Sequence, residues 1–316
     1  MNITSNFPQS WYPICLSSDI KKKDLKPITL FETEWLLFRG GDGKLGMVGR
    51  FCPHMGVDLA NGKVKDNCIA CPLHEWQFNT DGQCTKMPPS NIRASQVATS
   101  RLFVEEKYGL VFAFWGERVL FEIPSVQGVT TPLLMGPQIL DMNNSYLAVV
   151  LNAFDQQHME IVHHRKILNA KLSHLDQFNL IIDVTAQVVT YHWFDYVIKY
   201  FLSPISTFEI RCTGGNLMQM YNKKTSHTSL IFLAPKNSGS QSKLFFCSGI
   251  EHGVGILRTP FSYLKIFFYH LFTRLYLTSD TSILENMRPK KGILTVNDTS
   301  AVEFWNYWKN LPRTQD

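Results

Sequence analysis

Cys52 and His54 form a C-x-H pair, and sixteen residues further on Cys71 and His74 form a C-x2-H pair, in the run CPHMGVDLANGKVKDNCIACPLH. Two thiolates and two imidazoles can divide between two irons, two Cys on one and two His on the other. Such a 2Fe-2S centre has a higher potential than an all-Cys cluster, because neutral imidazoles replace charged thiolates. A structural zinc would use the same donors, and Cys68 adds a C-x2-C with Cys71. Two features favour the cluster. The pairs have near-identical settings, Cys52-Pro53-His54 and Cys71-Pro72-Leu73-His74, as two loops closing from opposite sides would. They also lie among apolar strand-like runs, unlike a small unit folded by zinc.

A second chemical stretch, NAFDQQHMEIVHH, supplies Asp155, His158 and His163 as D-x2-H-x4-H. Asp155 and His158 would share a helix face, being three residues apart. His158 and His163 are five apart, about 140° around a regular helix. Both can face one ion only if the helix is widened or broken between them.

Together these residues resemble the Rieske non-haem iron oxygenases over nearly the whole chain, from Trp11 to about Met287. The resemblance matches Asn152, Asp155, His158 and His163 to the family's N-x2-D-x2-H-x4-H. It implies a late carboxylate, Asp280 in TSDTSILENM, completing a 2-His-1-carboxylate triad for Fe(II). Glu285 is the alternative to Asp280, and His164 the alternative to His163. The resemblance gives Asp155 a separate role, linking His74 of one subunit to His158 of its neighbour for electron transfer. A homotrimer is therefore implied, as is a terminal oxygenase that takes electrons from NAD(P)H through a separate reductase, with or without a ferredoxin. Oxygen would be the co-substrate. The cluster loops are most similar to the branch acting on sterols and steroids. A hydrophobic ring-containing substrate is accordingly expected to undergo hydroxylation, desaturation or demethylation. Small aromatic or nitrogen-containing metabolites are the alternative, and a Rieske electron carrier or a lipid-binding protein are rivals from other classes. Glu75 departs from the family, which often has Gly after the last cluster histidine.

The positioning elements follow from pattern. From Trp11 to about Ile123 short apolar runs alternate with turn residues, an all-β signature. Gly41-Asp42-Gly43 joins strand-like segments at 35–40 and 44–51 as a hairpin, and 109–116 reads as a closing strand. Prolines 124, 132 and 137 mark 117–140 as a connection. Beyond it, 145–151 reads as a strand and the 150s and 160s as a helix. Further strands are expected at 187–194, 206–212, 216–221, 229–235 and 243–249. A late helix is capped by Thr259, carries Pro260 in its first turn and ends by Pro289. Lys265 and Arg274 leave at most eight uncharged residues between them, so this is a buried core helix and not a membrane span. A rim that touches membranes stays open as a minor reading. The fold class is α+β: an N-terminal antiparallel-β Rieske domain (1–122) and a C-terminal helix-grip, START-like catalytic domain (123–316).

Composition bounds the rest. With 316 residues, 45% hydrophobic and 18% charged, the chain is globular and long enough for two cores. Its net charge of +5 is scattered, the clusters being Lys21 to Lys23 with Lys26, and Arg288 with Lys290 and Lys291. That pattern excludes a nucleic-acid stripe. Seven cysteines without framework spacing and no secretory leader point to a reducing, cytoplasmic setting. No G-x-G-x-x-G follows a strand, so neither flavin nor nicotinamide is expected to bind this chain.

Overall fold

The structure, a computed structural model, describes residues 7–89, 92–189, 204–236, 239–252, 258–285, 287, 295 and 298–314. The chain forms two compact units. One is Trp11–Leu120; the other begins at Phe121 and also takes up the N-terminal segment through Ser10. The reason is visible at Pro8, which bridges to Arg313, and at Gln9, whose backbone N–H donates to the Pro312 carbonyl at 2.7 Å.

In the first unit β1 (Trp11–Leu16), β2 (Leu25–Leu30), β3 (Thr33–Arg39) and β4 (Leu45–Gly49) join β9 (Arg101–Lys107) and β10 (Leu110–Phe114). Their antiparallel sheet has the order β1-β10-β9-β4-β3-β2. The hairpin across Gly41 to Gly43 forms as its glycines imply, with Gly43 at φ +93°. A smaller sheet of β5 (Lys63–Lys65), β6 (Cys68–Ala70), β7 (Gln77–Phe78) and β8 (Cys84–Lys86) carries the two Cys/His loops. Leu36, Phe38, Leu59, Ile69 and Phe78 bury its face together with Cys52 and Cys71.

The second unit is a seven-stranded antiparallel sheet of order β11-β17-β16-β15-β14-β13-β12. Its strands are β11 (Pro132–Met142), β12 (Arg165–His174), β13 (Asn179–Val188), β14 (Ile205–Thr213), β15 (Leu217–Asn222), β16 (His227–Lys236) and β17 (Gln241–Glu251). Helices α1 (Tyr146–Asn152) and α2 (Gln156–Ile161) carry the chain from one sheet edge to the other. The long helix α3 (Arg258–Leu284) packs on β11, β16 and β17, and α4 (Thr299–Asn310) closes the chain. This is the α+β, helix-on-sheet architecture expected. No described helix is long and apolar enough to cross a membrane.

Several expectations change. The run 145–151 is a helix, because Ser145 accepts a hydrogen bond from the Leu147 N–H and the segment is buried almost all round. Such burial erases the alternation that separates helix from strand. Residues 132–142, expected as connection, form an edge strand. Pro132 begins it and Pro137 sits at its bulge, where a missing N–H breaks no ladder. The expected helix of the 150s and 160s stops at Ile161, and β12 follows from Arg165. β12 was not expected, because it is a polar, largely exposed edge strand, and β13 was not expected before residue 187 although most of it is buried inside the sheet. Helix α3 starts at Arg258, so Thr259 lies within its first turn. It is also only half buried: Ile266 and Leu277 face inward, whereas Phe261 is 66% exposed and Leu264 54%. The expected strand beyond 189, Pro289 and the basic group Arg288, Lys290 and Lys291 lie outside the described residues.

Candidate metal centres

The two Cys/His loops are near copies of each other in hydrogen bonding. Cys52 N donates to the Val57 carbonyl at 2.8 Å and Gly56 N to the Cys52 carbonyl at 2.9 Å. In the second loop Cys71 N donates to the Trp76 carbonyl at 2.8 Å and Glu75 N to the Cys71 carbonyl at 3.0 Å. Each turn needs a left-handed residue, supplied by Gly56 at φ +71° and by Glu75 at φ +56°. The departure at Glu75 is therefore a side chain in a glycine position. Its carboxylate reaches Lys65 Nζ at 2.7 Å, and this neighbour holds it below the usual carboxylate range.

The four donors are sorted by environment. Cys52 and Cys71 are each 3% exposed, while His54 and His74 are exposed. Burial pushes the Cys52 thiol up to about 11, with Cys71 beside it adding to the shift. Such a site suits a cation that takes thiolates outright. The His54 and His74 rings are 5.0 Å apart, and Trp76 stacks on His54 at 4.5 Å and 8°. Two buried sulfurs on one side and two paired imidazoles at the surface fit a binuclear cluster, one iron to each pair. Trp76, which holds the His54 ring, carried no motif signal and was not anticipated.

In the second unit the break foreseen between His158 and His163 occurs at the end of α2, where Val162 is the C-cap. His158 is on the helix and His163 beyond it. His158 Nε2 and His163 Nε2 are 3.1 Å apart, and Asp280 Oδ1 on α3 lies 3.3 Å from the first and 3.1 Å from the second. Among the described residues this is the one group of three or more His, Cys, Asp or Glu donors within 4.8 Å of one another. Mutually adjacent corners of an octahedron with bonds of about 2.1 Å are about 3 Å apart, so the spacing fits a facial triad.

Asp280 Oδ1 is buried and makes no hydrogen bond of normal geometry. Burial pushes the Asp280 carboxyl up, but the two imidazoles outweigh it and hold it below the ordinary range. An anionic oxygen facing two ring nitrogens in a buried site is what a divalent cation would complete. Glu285 is exposed and accepts from Asn143 Nδ2 at 3.3 Å, and His164, at φ +50°, turns the chain into β12. Neither joins the group.

Asp155 is the N-cap of α2, its Oδ1 accepting from the His158 N–H at 3.0 Å. Asn152 Nδ2 is 2.8 Å from His158 Nε2. Helix α4 buttresses this segment: Ser300 Oγ accepts from Gln156 Nε2 at 2.8 Å, and Trp308 Nε1 donates to the Tyr146 hydroxyl at 3.0 Å. The His163 ring lies against Tyr276, 4.6 Å away, and Arg165 donates to the Tyr276 hydroxyl. Sequence reasoning missed Arg165, Tyr276 and α4, since none belongs to a spaced motif.

The triad opens on a cavity of about 240 Å³ walled by apolar groups such as Val149, Phe208, Met218, Ile231 and Leu277.

Two matched Cys/His loops in a β domain, followed by a helix-on-sheet domain with a buried His-His-Asp group, define a class. The comparisons name it. Residues 10–99 match the Rieske [2Fe-2S] domain. Aminopyrrolnitrin oxygenase of Pseudomonas fluorescens is 27% identical over 232 residues, 69% of this chain and 63% of that one. Cholesterol 7-desaturase of Bombyx mori is 27% identical over 167 residues, 52% of this chain and 37% of that one. Dicamba monooxygenase bound to 3,6-dichlorosalicylic acid superposes with a TM-score of 0.71 over 98% of both chains at 17% identity. The chain carries a Rieske [2Fe-2S] domain and is similar to oxygenases of the Rieske type. It spans less than two thirds of the length of the curated relatives named here.

Proposed function

We propose that the protein is a terminal oxygenase in which Cys52, His54, Cys71 and His74 hold a 2Fe-2S cluster and His158, His163 and Asp280 hold a single ferrous ion. The observation that carries this reading is the unpaired, buried Asp280 oxygen converging with two imidazole nitrogens on the wall of an apolar cavity. When bound, the two groups supply single electrons and oxygen activation.

The chain's own residues supply position and exclusion. The break after Ile161 aims His163 at the ion, and the Asp155 cap fixes the start of the helix that carries His158. Tyr276 packs the His163 ring in place. Apolar walls keep water from the reacting carbon of a hydrophobic, ring-containing substrate, for which hydroxylation, desaturation and demethylation are the outcomes. In the first unit, exposed His54 and His74 are the entry and exit for electrons. Phe51, Met55 and Leu73 around them are 46%, 66% and 50% exposed, an apolar rim suited to a docking partner. His74 would pass electrons to Asp155 of the next subunit in a trimer, whose second carboxylate oxygen is not used by the cap. A separate reductase drawing on NAD(P)H, with or without a ferredoxin, would feed the cluster. Seven free cysteines suit a reducing, cytoplasmic compartment.

Iron analysis is the test. About three irons per chain are expected, two with acid-labile sulfide. Asp280→Ala should lose one iron and turnover while keeping the visible absorption of the cluster. Two irons in the unmodified protein would make it an electron carrier, and retained turnover in Asp280→Ala would remove that residue from the site.

A further inference from the structure

Helix α3 is apolar on two opposite faces. On the inner one Ser262, Ile266, Tyr269, Thr273 and Leu277 are buried, and the last three also wall the apolar cavity. The outer one carries Phe261, Leu264, Phe268, Leu271 and Leu275, which stay 39% to 66% exposed. At about 100° per residue these five side chains fall within about 80° of one another around the helix axis. Tyr263 and Phe267, exposed as well, widen the strip on one side. From Phe261 to Leu275 it runs for about 21 Å at a rise of about 1.5 Å per residue. With roughly 200 Å² for a whole aromatic side chain, it presents on the order of 600 Å² of apolar surface. That is the upper end of what a monomer leaves in water, and a helix apolar on both sides calls for a non-aqueous neighbour on both.

Charge decides what that neighbour is. Between Arg258 and Ser279 the helix sequence holds three Lys or Arg and no Asp or Glu. Measured from Leu275, Arg274 sits about 100° to one side and Lys265 about 80° to the other, so a cation borders each edge of the strip. Arg274 is exposed. Lys265 reaches over the Tyr269 ring, its Nζ 5.7 Å from the centroid, and donates to the Thr225 carbonyl at 3.2 Å; the exposed Lys224 precedes that residue. Carboxylates of the neighbouring strands are engaged elsewhere: Asp183 with Lys223, Glu209 with Arg211, and Glu251 with Thr130 and Thr131. Glu285 lies past the end of the helix. A second copy of the chain would set the strip against itself and bring Lys265 and Arg274 to a surface that offers no anion. An anionic bilayer takes the Phe and Leu side chains into the acyl boundary and meets both flanking cations with phosphates, their stems lying along the headgroup level.

We propose that the outer face of α3 docks the protein on the surface of an anionic bilayer, with the helix axis in the membrane plane and Lys265 and Arg274 among the headgroups. The cavity wall on the inner face of the same helix then stands about one helix diameter, about 10 Å, from the acyl chains. Docking is a property of this surface alone and goes beyond the oxygenase reading.

The test is co-sedimentation of the purified holoprotein with vesicles, with iron content and light scattering measured in parallel. Phosphatidylcholine vesicles are compared with vesicles that also contain about 30% phosphatidylglycerol. Binding to the anionic vesicles should be at least about tenfold tighter and should weaken with salt. Leu264→Ser combined with Phe268→Ser should lower it at least about tenfold while cluster absorption and iron content stay unchanged, since both side chains are exposed. Arg274→Glu should remove most of the preference for anionic vesicles, and it decides the matter should the double variant fail to fold. Sedimentation with neither vesicle, equal binding to both, or unchanged binding in the variants would overturn the docking. So would a dimer in light scattering that the double variant dissolves while vesicles recover no protein, an outcome that gives the face to a second copy. Docking by protein that takes up no mononuclear iron leaves the surface standing and sinks the oxygenase reading. A full iron complement without docking does the reverse.

Discussion

Replacing Gly62 with alanine should empty the two-iron site while sparing the His158–His163–Asp280 group. A Cβ at Gly62 would stand 2.3 Å from the Ala70 carbonyl oxygen and 3.0 Å from that of Leu59. Both obstacles are backbone, so no side chain can swing aside. Ordinary contact begins near 3.4 Å, and relief therefore requires a displacement of about 1 Å. Lys63 is paired with Ala70 across β5 and β6, and Ala70 leads directly into Cys71, so the displacement is delivered to a proposed cluster ligand. Metal sites accept only about 0.2 Å of misplacement in a bond. Overpacking of this kind costs about 1–3 kcal/mol, and the melting temperature of a unit this size should fall by roughly 5–20 °C. The assay is visible absorption with acid-labile sulfide and a thermal melt. Gly56→Ala is the control: its Cβ meets nothing within 4 Å, but its φ of +71° is left-handed. That change should cost only about 1 kcal/mol and keep the cluster. Full cluster absorption and an unaltered melt in Gly62→Ala would refute the reasoning, as would equal cluster loss in both variants.

Two other outcomes follow from single side chains. Asp155→Asn should keep fold and iron, because an amide oxygen can still cap the His158 N–H, but should slow oxidation of the reduced cluster by oxygen and substrate. Asp155→Ala should in addition lose about 1 kcal/mol of stability; stopped-flow oxidation of Asp155→Asn at the unmodified rate would exclude the electron route. Glu251 accepts from the hydroxyls and N–H groups of Thr130 and Thr131, which hold its carboxyl down at about 2. A depressed carboxyl stabilises above its unfolded value of about 4.3 and loses that contribution as pH falls toward 2. Hydrogen exchange at the Thr130 and Thr131 amides should accelerate through that window, and Glu251→Gln should abolish the pH dependence; an identical profile in the variant would contradict the assignment.

Legibility in the sequence followed locality. The cluster loops could be read because their turns are closed by bonds within six residues, Cys52 to Val57 and Cys71 to Trp76. The hairpin at Gly41 to Gly43 was equally local. Misread segments were those whose neighbours decide them. The run 145–151 is a helix because it is enclosed on all sides, and 132–142 is a strand because it lies at an edge that tolerates proline. Helix α4 escaped notice, yet its Tyr307 hydroxyl donates to the Phe178 carbonyl at 2.6 Å and accepts from the Gly215 N–H at 3.2 Å, tying it to the sheet.

The sequence by itself determined the chemistry available: which side chains can take iron, and that two of them, five residues apart, need a broken helix to meet. Only the tertiary structure decided which carboxylate joins them, since Asp280 is 117 residues beyond His163 and competes with Glu285 for the same reading. Packing of α3 on the sheet turns Asp280 inward and leaves Glu285 in solvent. The same packing sets Tyr269 against His227 about 16 Å away along the helix. No spacing rule could assemble that cavity, because its walls come from strands and helices that meet only when the apolar faces are buried together.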